Sequence, residues 1–360
     1  MNSIKIVILL FSCLGAADYL LGNRLGIGKE FEKAFSLFAP MVLSMLGMIV
    51  VAPAIGRLLT PVFSTISLLL EIDPSIIPAS LFANDMGGTQ LAQAVCITEE
   101  IGNFNAFVVS SMMGCVISFT LPFSLGLVPK CKQGDLFFGF LCGIVTIPVG
   151  CLVAGLICKL PFVSLLINLI PLIVLSLILV SALVLAPQFC IKAFRIFGTG
   201  MKVLALVGLM LSLFTFLTGI PVSLHLETFE NAAFICANAC VTLSGALPFM
   251  LIVSRLLTKP LNWLGAKLGI NGVSALAFLG STVTNASTFG IMDRMDSKGV
   301  ILNAAFAVSA SFAFGSHLAF TMAFDGNYIV PMIVGKLISG ISAVVLALVL
   351  HKTRHPASSC

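Results

Sequence analysis

The chain has 360 residues, of which 59% are hydrophobic and only 9% charged, and its mean hydropathy is +1.15. Soluble globular chains are about half apolar and a quarter charged, so this composition excludes a soluble enzyme and makes lipid the solvent for most of the surface. The net charge of +5 does not point to nucleic acid, because the basic residues sit in loops flanking apolar segments, where they set membrane orientation.

Apolar stretches of about 20 residues, enough to cross a ~30 Å hydrocarbon core as helix, recur along the whole chain. The ~10-residue alternating segments of a membrane β-barrel do not occur. The expected fold class is therefore an all-α polytopic membrane protein. Full spans are expected at 4–21, 34–57, 104–128, 135–158, 162–186, 199–221, 232–255, 300–324 and 328–350. The first is read as a retained helix rather than a cleaved signal peptide, since Lys5 is its only basic flank. Residues 60–97 and 259–296 are apolar yet interrupted by Pro, Gly, Asn and Asp, so each reads as a broken or re-entrant helical segment. The 11 cysteines are scattered, with only Cys236 and Cys240 one helical turn apart, which is neither a disulfide framework nor a metal site. They read as buried, reduced, small apolar residues.

The two halves of the chain echo each other. Phe31-Glu32-Lys33-Ala34 recurs as Phe229-Glu230-Asn231-Ala232, Gly47 as Gly245, and Arg57-Leu58-Leu59-Thr60 as Arg255-Leu256-Leu257-Thr258, all at an offset of 198. At an offset of 201, Ser80, Asn84, Ser110, Gly114 and Phe119 find Ser281, Asn285, Ser311, Gly315 and Phe320. This pattern predicts an internal duplication: repeat 1 at 1–158, a linker span within 159–198, repeat 2 at 199–350 and a tail at 351–360. With the N-terminus outside and the C-terminus cytoplasmic, 15 basic residues fall inside and only Lys5, Arg57 and Lys159 outside. The odd linker span then inverts the second copy, an arrangement in which broken helices meet near the bilayer midplane.

Chemistry is expected at the breaks. The first carries Ala83-Asn84-Asp85-Met86-Gly87-Gly88 and the second Thr284-Asn285-Ala286-Ser287-Thr288-Phe289-Gly290. Unwound backbone at membrane depth is tolerated only where protein buries it or water lines it. A carboxylate there, Asp85, is costly and usually marks a solute or ion pathway. The competing reading is that Asn84, Asp85 and Asn285 cap broken helix ends. Ser111 lies in the next span and Ser316 and His317 in the matching span of the second half, as solute-contact or packing residues. Lys336 lies within the last span, where it either pairs with Asp18 or snorkels to the interface. No phosphate-cradling loop, His-Glu-x-x-His or Gly-x-Ser-x-Gly occurs, and no cofactor is expected.

The run from Leu21 to Glu32, Leu-Gly-Asn-Arg-Leu-Gly-Ile-Gly-Lys-Glu-Phe-Glu, resembles the bacterial ethanolamine-utilisation membrane proteins of the EutH family. The likeness continues through Ala83 to Gly88, Ser111-Met112-Met113-Gly114, Thr146-Ile147-Pro148-Val149-Gly150, Asn303 to Ala310 and Pro331 to Ile338. It implies a permease in the bacterial inner membrane that takes up ethanolamine for a cytosolic ammonia-lyase pathway. The implied substrate-binding set is Asn84, Asp85, Gly87, Gly88, Ser111, Asn285, Thr288, Ser316 and His317. Asp85 would balance the ammonium while an asparagine or serine takes the hydroxyl. Ser316 departs from the family, where an Asp usually precedes the histidine. Facilitated diffusion, proton- or sodium-coupled transport and, less favoured, a membrane-embedded enzyme on a lipid headgroup remain open. Expected partners are ethanolamine, the lipid bilayer and a further copy in a homo-oligomer.

Overall fold

The structure, a computed structural model, describes residues 3–222 and 225–351, so most of the 351–360 tail lies outside it. The described residues are helices joined by short turns, with no strand among them. Seven of these helices are long and apolar enough to cross a membrane: Ile27–Phe63, Glu99–Leu127, Lys130–Ile157, Phe162–Leu185, Pro187–Thr218, Phe229–Leu268 and Gly326–His351. The 4–21 span is the helix Ser3–Leu20.

Several spans differ from expectation: 199–221 begins earlier, at Pro187, 232–255 runs on as helix to Leu268 into the segment expected to be broken, and two others change as follows. The 34–57 span continues through residue 60 to Leu70, despite Pro53 and Pro61 inside it. A helical proline removes an N–H and crowds the preceding turn. Here the Thr60 and Thr65 hydroxyls donate to the Gly56 and Pro61 carbonyls at 2.7 and 2.9 Å, supplying local hydrogen bonds beside the proline. Thr258 does the same to Ser254 at 2.7 Å in the Phe229–Leu268 helix, two residues before Pro260. The 300–324 span, by contrast, is two pieces, Ser297–Ala310 and Ser316–Phe324, separated by Ser311–Gly315. The matching stretch of the first half, Asn105–Gly114, stays continuous but winds as a wider π-helix.

The breaks begin from two similar turns. The helix ending at Leu70 closes on Glu71 at φ 53°, and the helix ending at Leu268 closes on Gly269 at φ 67°, both left-handed and 198 residues apart. Carboxylates then staple each turn to the start of a later helix. Asp73 accepts from the backbone N–H of Ser75, Ile97 and Thr98, each at 3.0 Å. Asp296 accepts from the Asn271 N–H at 3.0 Å and from the Gly299 N–H at 3.3 Å. The short helices Ile76–Leu81 and Gly272–Val283 follow, and after them the chain unwinds.

Packing around the breaks runs through glycines. A Cβ on Gly47 would collide with the Ala205 carbonyl of the Pro187–Thr218 helix, and one on Gly245 with the Ile8 carbonyl of the Ser3–Leu20 helix. The helix that precedes one long arm in sequence therefore packs against the other arm. Beside them, Lys130–Ile157, Ser297–Ala310 and Gly326–His351 form a tight block, with Gly150 against the Gly335 backbone. The Phe162–Leu185 helix docks by a reciprocal amide pair: Asn105 donates to Asn168 at 3.1 Å and Asn168 donates back at 2.7 Å.

These contacts predict that Gly47→Leu and Gly245→Leu each destabilise the fold by roughly 1–3 kcal/mol through overpacking. Gly126→Ala, a site with nothing within 4 Å of an added Cβ, changes little. Thermal unfolding in detergent checks all three.

Candidate functional site

The first break spans Phe82 to Gly87. Phe82 turns extended, Asn84–Met86 forms one tight turn, and Gly87 takes φ 91°, where a side chain would be strained and would meet Met48. The second break opens at Thr284, which is extended and whose hydroxyl accepts from the Ala286 N–H at 3.4 Å. Each break rests on a glycine of a later span: a Cβ on Gly114 would strike the Phe82 carbonyl, and one on Gly315 the Val283 carbonyl. Those four positions obey the offset of 201 seen in the sequence.

Backbone groups freed by unwinding find protein partners. The Ala83 N–H donates to the Ser118 hydroxyl at 3.0 Å. In the divided span the Phe312 N–H donates to the Ser281 carbonyl at 3.1 Å and the Phe314 N–H to the Thr282 carbonyl at 2.8 Å, which closes the end of the Gly272–Val283 helix. The buried asparagines reach across to the opposite half. Asn84 donates to the Thr321 hydroxyl at 3.4 Å and Asn285 to the Thr120 hydroxyl at 3.0 Å. Thr120 and Thr321 are themselves 201 apart, a match legible in the sequence and missed there.

A cavity of about 820 Å³ runs from Lys33, Arg195 and Lys202 at one end to Asp85, Ser316 and His317 at depth. Asp85 keeps 16% of its side chain exposed there, while His317 is 1% exposed and presents Nε2 at 3.8 Å from the Asp85 carboxylate. Phe119 and Phe312 line the same wall with their rings 5.6 Å apart, and the Phe312 ring lies 5.0 Å from the imidazole. Phe312 holds φ 60°, a left-handed conformation that costs a bulky residue on the order of 1–3 kcal/mol and recurs at functional sites.

Of the nine expected residues, three thus meet at the cavity: Asp85, Ser316 and His317. The others lie behind it. Asn84 accepts from the Asp85 N–H at 2.9 Å, so it caps the turn, and Asn285 is held between Thr120 and Ser311. Gly87 and Gly88 serve the turn itself, since a Cβ on Gly88 would strike the Phe82 carbonyl. The Thr288 hydroxyl donates to the Ala277 carbonyl at 2.8 Å and ties the piece after the second break to the one before it. The Ser111 hydroxyl donates to Val108 within its own helix at 2.9 Å.

One further residue, placed elsewhere on sequence grounds, belongs to the site. Lys336 is 1% exposed, so it does not snorkel, and its ammonium does not pair with Asp18. It donates to the Ser111 carbonyl at 2.5 Å and stands 3.2 Å from His317 Nδ1. Asp18 instead caps a turn, accepting from the N–H of Leu25 at 2.8 Å and of Gly28 at 2.9 Å. A usable signal was present: an intramembrane carboxylate is by default paired with a cation, and Lys336 lies well inside its expected span, whereas Lys5 and Lys202 sit near the ends of theirs.

Thr120→Val leaves the buried Asn285 amide without its acceptor, which predicts a loss of about 1–3 kcal/mol. A double-mutant cycle with Asn285→Ala, read by thermal unfolding, gives non-additive losses if the pair acts as one unit.

The family model described as "Ethanolamine utilisation protein, EutH" matches residues 1–350. A protein of Listeria monocytogenes named "Probable ethanolamine permease EutH" is 35% identical over 342 residues, covering 95% of this chain and 92% of that protein. One of Salmonella typhimurium with the same name is 33% identical over 350 residues, covering 90% and 86%, and an uncharacterized Bacillus subtilis protein, YxeR, is 30% identical over 346 residues, covering 96% and 94%. No solved structure matches the chain. A match over almost the full length, on a helical multi-pass frame, makes the chain a member of the EutH family of ethanolamine utilisation proteins.

Proposed function

We propose that this protein is a permease, not an enzyme, that carries protonated ethanolamine across the bacterial cytoplasmic membrane through a site at the two helix breaks. The observation that carries the reading is the Asp85 carboxylate, set in the unwound first break and lining the deep end of the cavity. A carboxylate in apolar surroundings is expensive to hold, and a cation that arrives and leaves gives it a use. The names of the relatives, probable ethanolamine permeases, supply the cation's identity. Phe119 and Phe312 line the same cavity, where aromatic rings can add to the hold on an ammonium.

The frame we propose for this function is a pair of inverted repeats, 1–158 and 199–350, with nine crossings, the one at 300–324 divided at Ser311–Gly315, and two broken segments. Support comes from contacts that obey the sequence offsets in pairs: the left-handed caps at Glu71 and Gly269, the close approaches at Gly47 and Gly245, and the reach of Asn84 and Asn285 to Thr321 and Thr120. In this topology the N-terminus is outside and the C-terminus cytoplasmic. Lys33, Arg195 and Lys202 then lie inside, so the cavity faces the cytoplasm. Facilitated diffusion is the simpler mode, driven by consumption of ethanolamine in the cytosol; coupling to protons or sodium is the alternative.

Uptake of radiolabelled ethanolamine into proteoliposomes tests both parts. Asp85→Asn removes a charge-assisted contact worth ~1.5–3 kcal/mol, so apparent affinity falls about ten- to a hundredfold. Uptake that equilibrates without an imposed gradient fits a facilitator, and accumulation that needs one means coupling. No uptake above empty liposomes overturns the permease reading.

A further inference from the structure

Lys336, which no sequence motif assigns to the site, stands behind His317 rather than in the cavity. Three ionisable groups thereby form one file. Lys336 Nζ lies 3.2 Å from His317 Nδ1, and His317 Nε2 lies 3.8 Å from an Asp85 carboxylate oxygen. The 3.2 Å contact requires one donor and one acceptor. A lysine ammonium has three donors and no acceptor, and one of its protons already goes to the Ser111 carbonyl at 2.5 Å. His317 Nδ1 must therefore be the acceptor, which places the imidazole proton on Nε2, and an imidazolium, a donor at both nitrogens, does not fit. The other ionisable side chains close enough to interact with the ammonium through their charge are the thiols of Cys115 and Cys151.

The consequence falls on the cavity side. A gap of 3.8 Å is too long for a hydrogen bond, so the Nε2–H and the carboxylate stand side by side without closing on each other. An N–H donor next to an anionic acceptor is the complement of a hydroxyl next to an ammonium. Accordingly, and resting on the ethanolamine reading above, we propose that Lys336 is a positioning residue for specificity: it locks His317 as the Nε2–H tautomer, so that the site reads the hydroxyl on the carbon adjacent to the aminomethyl group. The substrate class is then vicinal amino alcohols rather than alkylammonium ions in general. Sites built to hydrogen-bond a substrate hydroxyl reject the analogue that lacks it far more strongly than apolar pockets reject a size change.

Two measurements test this. The first is 15N NMR of histidine-labelled protein in lipid, with His225→Gln, His351→Gln and His355→Gln leaving His317 as the reporter. The result expected is a protonated Nε2 and a bare Nδ1, which Lys336→Met turns into a mixture of tautomers while Lys336→Arg preserves it. A wild-type His317 protonated at Nδ1 overturns the proposal whether or not the methionine variant folds. The second is competition of ethanolamine and ethylamine for uptake into proteoliposomes. The preference for ethanolamine should fall about tenfold in Lys336→Met and be restored by Lys336→Arg, which a merely structural role of Lys336 would not produce. An unchanged preference in Lys336→Met overturns the proposal. If the wild type takes up no ethanolamine, the permease reading fails, and the NMR result still decides the role of Lys336.

Discussion

A helix that unwinds in an apolar surrounding frees N–H and C=O groups that water does not reach, and each one left unpaired costs several kcal/mol. This constraint fixes the geometry of the molecule at its breaks. The Gly272–Val283 helix ends against Phe312 and Phe314, whose N–H groups take the Ser281 and Thr282 carbonyls, and this forces the divided span at Ser311–Gly315. The first break ends against Ser118, and its Asn84 spans to Thr321 in the opposite half. Once those bonds are made, Asp85 and His317 have little choice of position. They arrive on one cavity wall because the two halves satisfy each other's backbone.

The charge follows the same logic. Asp85 is the carboxylate of the deep cavity, and Lys336 compensates it through His317 without entering the cavity itself. The ammonium is held from behind by the Ser111 carbonyl, on the stretch that winds as a π-helix, and by its own helix, which packs through Gly335 on Gly150. A rigid block of three helices thus carries the cation, and the unwound segments carry the anion. In the proposed permease a substrate ammonium joins this arrangement on the anion's open side, where the two phenylalanine rings lie.

Much of the frame was legible in the sequence. Apolar runs of membrane length gave the helices, and the polar interruptions around Asn84 and Asn285 located the breaks, because helix-breaking residues seldom cluster in an apolar run unless the helix itself stops there. The break at Ser311–Gly315 was not legible, since Phe312, Ala313 and Phe314 look like any span. It exists to pair with carbonyls that come from another helix, which local pattern does not encode. The extension of the 34–57 span past residue 57 and through Pro61 was missed because a proline in an apolar run reads as a stop, whereas the helix continues unbroken to Leu70. Asp85 was found by its cost. Lys336 was misassigned because Asp18, equally isolated in its span, is satisfied by a turn only ten residues away.

The central claim is that the substrate ammonium meets Asp85 in the cavity. The measurement that tests it most directly is magic-angle-spinning NMR of the protein in lipid with 15N-ethanolamine and 13C-labelled aspartate, reading the dipolar coupling between the two labels. The account predicts a coupling that reports direct contact with the Asp85 carboxyl carbon and disappears in Asp85→Asn. Bound ethanolamine with no coupling to that carbon, or a coupling unchanged in Asp85→Asn, would contradict it.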